Sequence, residues 1–431
     1  MIDHEKIVHP MASFYLIGYS LVMFGIFWGI SDLLVLILTE SYHFQHHQAE
    51  LIYGVFMGCS FIFPVIGGVI GDKWKYHWPL FLSCLLFSLG AFILSIATIH
   101  TLFAGLTLIV IGNSLFFPCS FALLGYMYRH YNQIREIGFT RYYAVLHFGI
   151  LFCFFIIGYA LQYYTWHYAL IVIGFFALLG LLPLRLFLKN HYLSTFKLHP
   201  SDKITAFSEE KTFDEKEKKV AIFILCFFGM FFWFSLAQAR TSVALFTEHF
   251  VKEEIINNFS IPLGWILSSE TIFVLVITPF LIWIYKSILE KGSLWSAPSK
   301  IASGLVITGF SFVVTLLAAW QLESFPIAKK LSPIYTISSY MIIAVGEMLI
   351  VPISLALITK IAPSKRTATY VGYWALFVGV AYFAGGYSAT LIDHFTNKTS
   401  FFGILIAIPL IAGLILFTIT PKLRHVSEMN R

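Results

Sequence analysis

The sequence predicts an all-α membrane protein: twelve transmembrane helices in two six-helix bundles joined by a polar linker. Three observations carry that reading. Of 431 residues, 58% are hydrophobic and only 12% are charged, about half the charge of an ordinary soluble domain. Too little polar surface remains to cover water-soluble domains of this size. That excludes a soluble enzyme, a disordered tail protein and a disulfide scaffold. The second observation is a series of apolar runs, each near the roughly 20 residues needed to cross about 30 Å of hydrocarbon. The third is a strong bias in where the basic residues fall.

Taken in order, the first six runs read at about 12–39, 48–71, 77–98, 101–128, 136–163 and 167–188. The first is too long for a signal-peptide core and has no small-residue cleavage site after it, so it should stay in the membrane. Six more follow at about 220–248, 261–285, 300–320, 332–360, 368–393 and 400–420. The domains are therefore expected at 1–188 and 220–431, with 189–219 as a solvated cytoplasmic linker of mixed charge and no apolar periodicity. With the N-terminus inside, Lys252, Lys329, Lys330 and Lys398 are the loop lysines left outside, and every loop arginine is inside. This asymmetry places both termini in the cytoplasm. The net charge of +6 thus reflects topology, and no nucleic-acid partner is expected. All five cysteines lie in apolar stretches, where a thiol behaves as a small hydrophobe.

Two such halves are the layout of the major facilitator superfamily, with a substrate site between them near mid-bilayer. Gly68-Val-Ile-Gly71-Asp72-Lys73, closing the second run, resembles that superfamily's Gly-x-x-x-Asp-Arg/Lys gating-loop motif. There glycines allow close helix approach and the aspartate can cap a helix and pair charge. The rival reading is a plain turn with positive-inside lysines.

Ionisable groups inside spans are costly and mark function by default. The candidates are Asp32, Arg141, His147, Arg240, Glu270 and Glu347. Glu347 falls near the middle of its span, with Pro352 following to free backbone carbonyls; its rival role is a structural ion pair. Glu270 is expected about ten residues into the eighth span. Two acids in one half call for a shared proton, a cation or an arginine, and Arg141 and Arg240 are both available. Arg141 also fits a snorkelling surface role. His147 is either a proton carrier or a satisfied buried histidine, and Asp32 suits pairing with either arginine. Trp28, Tyr142, Tyr143, Trp233, Trp374 and Tyr382 are the aromatic residues that suit cavity walls.

Gly346-Glu347-Met-Leu-Ile-Val-Pro352 through Thr359-Lys360-Ile-Ala362-Pro363 resembles the tenth span of the proton-dependent oligopeptide transporter family. Gly372-Tyr373-Trp374 with Gly385-Gly386 resembles the eleventh. Phe232-Trp233 with Gln238, Pro279, Pro64 with Gly67-Gly68, and Tyr143 with Gly149 extend the resemblance over most of the chain. It implies a proton-coupled transporter of di- and tripeptides in a plasma or bacterial inner membrane, working by alternating access with no cofactor beyond the proton gradient; the chain is expected to act as a monomer. It also implies that Glu347 meets the peptide amino group.

The departures concern charge. The family's first-span Glu-x-x-Glu-Arg-Phe falls on Ser20, Met23, Phe24 and Gly25. Its fourth-span Lys-Pro-Asn becomes Phe117-Pro118-Cys119, its fifth-span Asn becomes His147, and its eighth-span Asn becomes Glu270. The amine end is kept while the carboxylate end turns apolar. Either the carboxylate clamp has moved to Arg141 or Arg240, or the cargo is an amine-bearing or cationic solute read by Glu270 and Glu347. The remaining proton-coupling candidates are Glu347, Glu270, His147 and Asp32; a facilitator without coupling is a further alternative. The expected substrate contacts are Glu347, Glu270, Gln238, Arg240, Trp374, Tyr143, His147, Trp28 and Arg141.

No His-Glu-x-x-His or phosphate-binding loop occurs, so no catalytic role is expected. No metal site is expected either; His43, His46 and His47 read as a solvated loop rather than ligands.

Overall fold

The computed structural model describes residues 10–187 and 215–427, apart from short breaks in the connecting loops. Among them, twelve helical rods follow the twelve apolar runs. The first six are α1 (Pro10–Glu40), α2 (His46–Ile62) continued by α3 (Pro64–Trp74), α4 (His77–Leu94), α5 (Ile99–Met127), α6 (Arg135–Tyr163), and α7 (Trp166–Leu179) continued by α8 (Leu181–Phe187). The second six are α9 (Glu215–Gln238) running through a π-helical turn, Ala239–Val243, into α10 (Ala244–Phe250), then α11 (Ser269–Glu290), α12 (Ala297–Ser324), α13 (Ile334–Ile361), α14 (Thr367–Ala389) and α15 (Lys398–Ser427).

Ten of these rods are long and apolar enough to cross a membrane over their described residues. α1 and α6, with 31 and 29 residues, complete the set. The second rod is divided where Pro64 takes the first position of α3, a place where its missing N–H costs nothing. The longer rods tolerate Pro118, Pro279 and Pro352 inside continuous helix.

Two expectations change. The eighth run was read from 261, but its helix begins at Ser269 and puts Glu270 in the first turn rather than ten residues in. Residues 261–265 and 267 lie outside the described set. The chain is also not wholly helical: β1 (Glu254–Ile256) and β2 (Phe259–Ser260) pair antiparallel between the seventh and eighth rods, where aromatic and β-branched residues favour extended backbone. Most of the expected linker, 189–214, lies outside the described residues; its last five, 215–219, open α9.

Within the first half α1 packs on α6, and α4 on α5 and α7; within the second α12 packs on α13 and α15, and α9 on α14. Between the halves, α14 runs along α2 and α3, while α6 meets α11 and α13. The apolar window of α13 is 83% buried and that of α11 only 22%, so α13 is the axis of the interface and α11 offers it a single face. Gly25 and Gly149 set the spacing of α1 and α6. A Cβ on Gly25 would strike the Gly149 backbone, and one on Gly149 the Leu21 carbonyl.

At one end the halves are fastened by polar contacts. Asp72 accepts from the backbone N–H groups of Ala368 and Thr369, at 3.1 and 2.8 Å, and from the Thr369 hydroxyl at 2.6 Å. These N–H groups belong to the first turn of α14, so the carboxylate caps that helix and complements its dipole. Gly68 allows the approach, since a Cβ there would strike the Ala368 carbonyl. Tyr76 donates to Asp72 at 3.1 Å. Burial and the adjacent carboxylate push its phenol well above the usual range, so it stays a donor. Lys73 is exposed. At the same end Arg135 donates to the Ala356 carbonyl and the Thr359 hydroxyl at 3.1 and 2.9 Å, and Lys300 pairs with Glu136.

Candidate functional site

Midway along α6 and α13 the halves meet in a buried charged cluster. Glu347 of α13 accepts a hydrogen bond from the Tyr143 hydroxyl of α6 at 2.5 Å. One helical turn on from Tyr143 is His147, whose Nε2 lies 3.5 Å from Glu347 Oε1 and 3.7 Å from Glu270 Oε1. The i, i+4 spacing of Tyr143 and His147 aims both side chains at the same acids. Glu270 Oε2 pairs with Arg240 at 3.1 Å. Arg240 sits in the π-turn, where one extra residue per turn shifts the direction of the following side chains. Glu270, Glu347 and His147 are at most 3% exposed. Charges this deep persist only when paired, and each of the three is held against the others.

A carbonyl can only accept, so the 3.1 Å contact between His147 Nδ1 and the Tyr143 carbonyl puts a hydrogen on Nδ1. Nε2 is the ring atom turned to both acids. Glu270 Oε1 and Glu347 Oε2 are buried with no hydrogen-bond partner among the described residues. The three donor atoms lie within 4.8 Å of one another; all three residues were expected at the site from sequence, although no metal site was.

An aromatic wall adjoins the cluster. Arg240 lies 5.5 Å from the Trp28 ring. Trp28, Phe61, Trp233 and Tyr382 form a connected set, with Phe61 stacked on Tyr382 at 5.8 Å and 7°. Trp374 stacks on Phe117 at 5.9 Å and 8° and meets Trp233 edge-on at 5.7 Å. The indole N–H groups of Trp28 and Trp233 are buried without an acceptor among the described residues.

Of the residues expected at a site, Glu347, Glu270, His147, Tyr143 and Arg240 come together, with Trp28 and Trp374 beside them. Two do not join. Gln238 is committed to structure: its amide donates to the Gly385 carbonyl and the Ser388 hydroxyl, and its oxygen accepts from Ser242. It braces the π-turn against α14. Arg141 is exposed, two residues before Tyr143 and so on the opposite side of α6. It lines a separate groove of about 280 Å³ with Tyr128, Lys286 and Glu290, which removes it as a clamp beside the acids. Asp32 lies in α1, but its side chain is outside the described residues.

Of the family positions that lose charge, the two that carried cations hold rings here. Phe24 lies 6.3 Å from Tyr143 and 6.4 Å from His147, and Phe117 stacks on Trp374. Arg135 was counted as a loop cation from sequence, yet it is 3% exposed and bridges the halves. Only its place at a helix start beside Glu136 hinted at that.

The profile of the POT family matches residues 184–411. The chain is 23% identical over 420 residues to the peptide transporter YePEPT of Yersinia enterocolitica, covering 81% of each. It is 24% identical over 410 residues to dipeptide and tripeptide permease B of Salmonella typhimurium, covering 84% of this chain and 83% of that protein. Among solved structures it is similar to a POT family transporter in complex with 5-aminolevulinic acid, with a TM-score of 0.77 at 19% identity over 96% of this chain and 97% of the other. The twelve rods have that major facilitator fold, the profile spans more than half of the sequence, and the tenth-span acid lies buried between the halves: the chain belongs to the POT family of membrane transporters.

Proposed function

We propose that the chain imports di- and tripeptides or closely related amine-bearing solutes by proton-coupled alternating access. The observation that carries this is Glu347, buried between the halves and held by Tyr143 and His147. Such a carboxylate suits an ammonium group, and it can exchange a proton with its neighbours as the halves separate. The unpaired indole N–H groups of Trp28 and Trp233 suit a cargo that carries carbonyl oxygens, as a peptide does. The curated relatives are named as peptide transporters, which supports the same class. The proton gradient is the energy source, with no cofactor and no catalytic step. The charge bias supports cytoplasmic termini, family membership supports a plasma or bacterial inner membrane, and a single chain contains the whole cluster. With that orientation the fastened end faces the cytoplasm.

A second reading is favoured by two observations. Arg240, the cation nearest the cluster among the described residues, is engaged with Glu270, and Phe117 stacks where the family carries a lysine. The cargo's amine would then be recognised and its carboxylate ignored. Uptake into proteoliposomes, acidic outside and negative inside, tests both with labelled dialanine, its C-amidated form and simple amines. Free dialanine accumulating, and no longer doing so in Glu347→Gln, supports the peptide importer. Accumulation of the amidated peptide or amines alone supports the second reading. No accumulation of any of them would refute both.

A further inference from the structure

We propose that His147, Glu270 and Glu347 form a binding site for a divalent transition-metal cation of the zinc class, one that joins the two halves of the transporter. The site does not depend on what the cavity carries, although it uses the same residues.

Three features point to a metal rather than to a proton alone. The first is ligand chemistry. Nδ1 of His147 is committed to the Tyr143 carbonyl, which leaves Nε2 as the lone pair of the neutral ring, turned towards two carboxylates. Three electron-rich donors facing one another repel unless a proton or a metal cation lies between them. A proton on Nε2 would serve one acid at a time, and 3.5 and 3.7 Å are long for N–H···O bonds, which run at about 2.7–3.2 Å. Metal bonds of about 2.0–2.2 Å at the tetrahedral angle separate neighbouring donors by about 3.3–3.6 Å. The two histidine–carboxylate spacings are close to that, and all three donors lie within 4.8 Å of one another.

The second is the outer shell. Histidines that bind metals commonly donate their other N–H to a backbone carbonyl, and ligating carboxylates are themselves hydrogen-bonded. His147 does the first. Glu347 accepts from Tyr143 on Oε1, the oxygen nearest His147 Nε2, and Glu270 accepts from Arg240 on Oε2, which fixes both acids while Glu270 Oε1, the oxygen nearest His147, keeps no partner among the described residues. The third is charge and softness. Two carboxylates, a neutral imidazole and the Arg240 guanidinium paired with Glu270 carry a net charge of −1, which favours a cation between the donors. One nitrogen with two oxygens suits Zn²⁺, Mn²⁺ or Fe²⁺ better than the all-oxygen preference of Mg²⁺ and Ca²⁺ or the sulfur preference of Cu⁺.

The donors come from α6 in one half and from α11 and α13 in the other, so a bound cation ties the halves together. It also competes with a cargo ammonium for the same acids.

The test is calorimetric titration of Zn²⁺ into the full-length, chelator-stripped protein in detergent. One site per chain is expected, weakened at least 30-fold in His147→Ala and in Glu270→Gln. Cobalt spectroscopy on the unmodified protein gives a reading that needs no variant. Co²⁺ should show the strong visible absorption of a four-coordinate site, and His147→Cys should add a sulfur-to-cobalt charge-transfer band. Absence of binding, binding unchanged in both loss variants, or the weak spectrum of a six-coordinate ion would overturn the site. None of these outcomes bears on peptide uptake, which the proteoliposome experiment decides separately.

Discussion

The Tyr143 hydroxyl lies 2.5 Å from Glu347 Oε1, and this hydrogen bond links the central helix of the second half to a helix of the first. Hydrogen bonds to charged groups are worth about 1.5–3 kcal/mol. Tyr143→Phe keeps the ring and removes the donor. If the bond positions the acid for transport, initial uptake should fall roughly tenfold to a hundredfold with the protein still folded. An unchanged rate would show that Glu347 does not need that donor.

Arg240 and Glu270 form a pair whose acid is almost wholly enclosed. Removing one partner from a buried pair costs about 3–5 kcal/mol, because it strands a charge. Arg240→Ala should therefore lower the thermal midpoint in detergent, and adding Glu270→Gln should restore most of the loss. Equal melting of the single and double variants would mean that the pair is not coupled.

Asp72 offers its oxygens to two backbone N–H groups and two hydroxyls, three of these donors on the opposite half. Asp72→Asn should release about 1.5–3 kcal/mol of the contact holding this end shut, moving the population by at least roughly tenfold towards the open form. Spin-label distances between the ends of α3 and α14 would report it. A distribution identical to the parent's would show that Arg135 and the Lys300–Glu136 pair keep the end closed without Asp72.

Two glycines should respond in opposite directions. Gly149→Ala drives a methyl into the Leu21 carbonyl, an overpacking worth about 1–3 kcal/mol of destabilisation. A methyl on Gly386 meets nothing within 4 Å, so Gly386→Ala should be neutral or gain up to about 1 kcal/mol from helix propensity. Thermal melts of the two variants check the contrast.

Composition and charge bias made the twelve spans legible, because lipid leaves helices as the simplest way to pair every backbone group in an apolar run. The in-span acids were legible for the same reason: few features other than function justify their cost. Partners were less so. Glu270 was known to need a cation, but only the π-turn, invisible to a periodicity of 3.6, selects Arg240 over Arg141. The residues at 141 and 143 are neighbours in sequence yet face apart on α6, and a span boundary alone does not resolve which faces inward. Gln238 resembled a substrate contact because it is polar in an apolar span, and its partners Gly385 and Ser388 lie far along the chain. Arg135 and Thr359 likewise show their link only once the halves are assembled.

The rings of Phe61 against Tyr382, and of Phe117 against Trp374, each bring together one residue from either half. Any motion that parts the halves at this seam must hydrate those faces, and hydrating apolar surface raises the heat capacity. The activation enthalpy of opening should therefore depend on temperature, and a plot of log turnover against reciprocal temperature should bend rather than run straight. A transporter whose seam carries lysine and acid instead of rings would lack that contribution, so the same cycle would slow on cooling along a different curve.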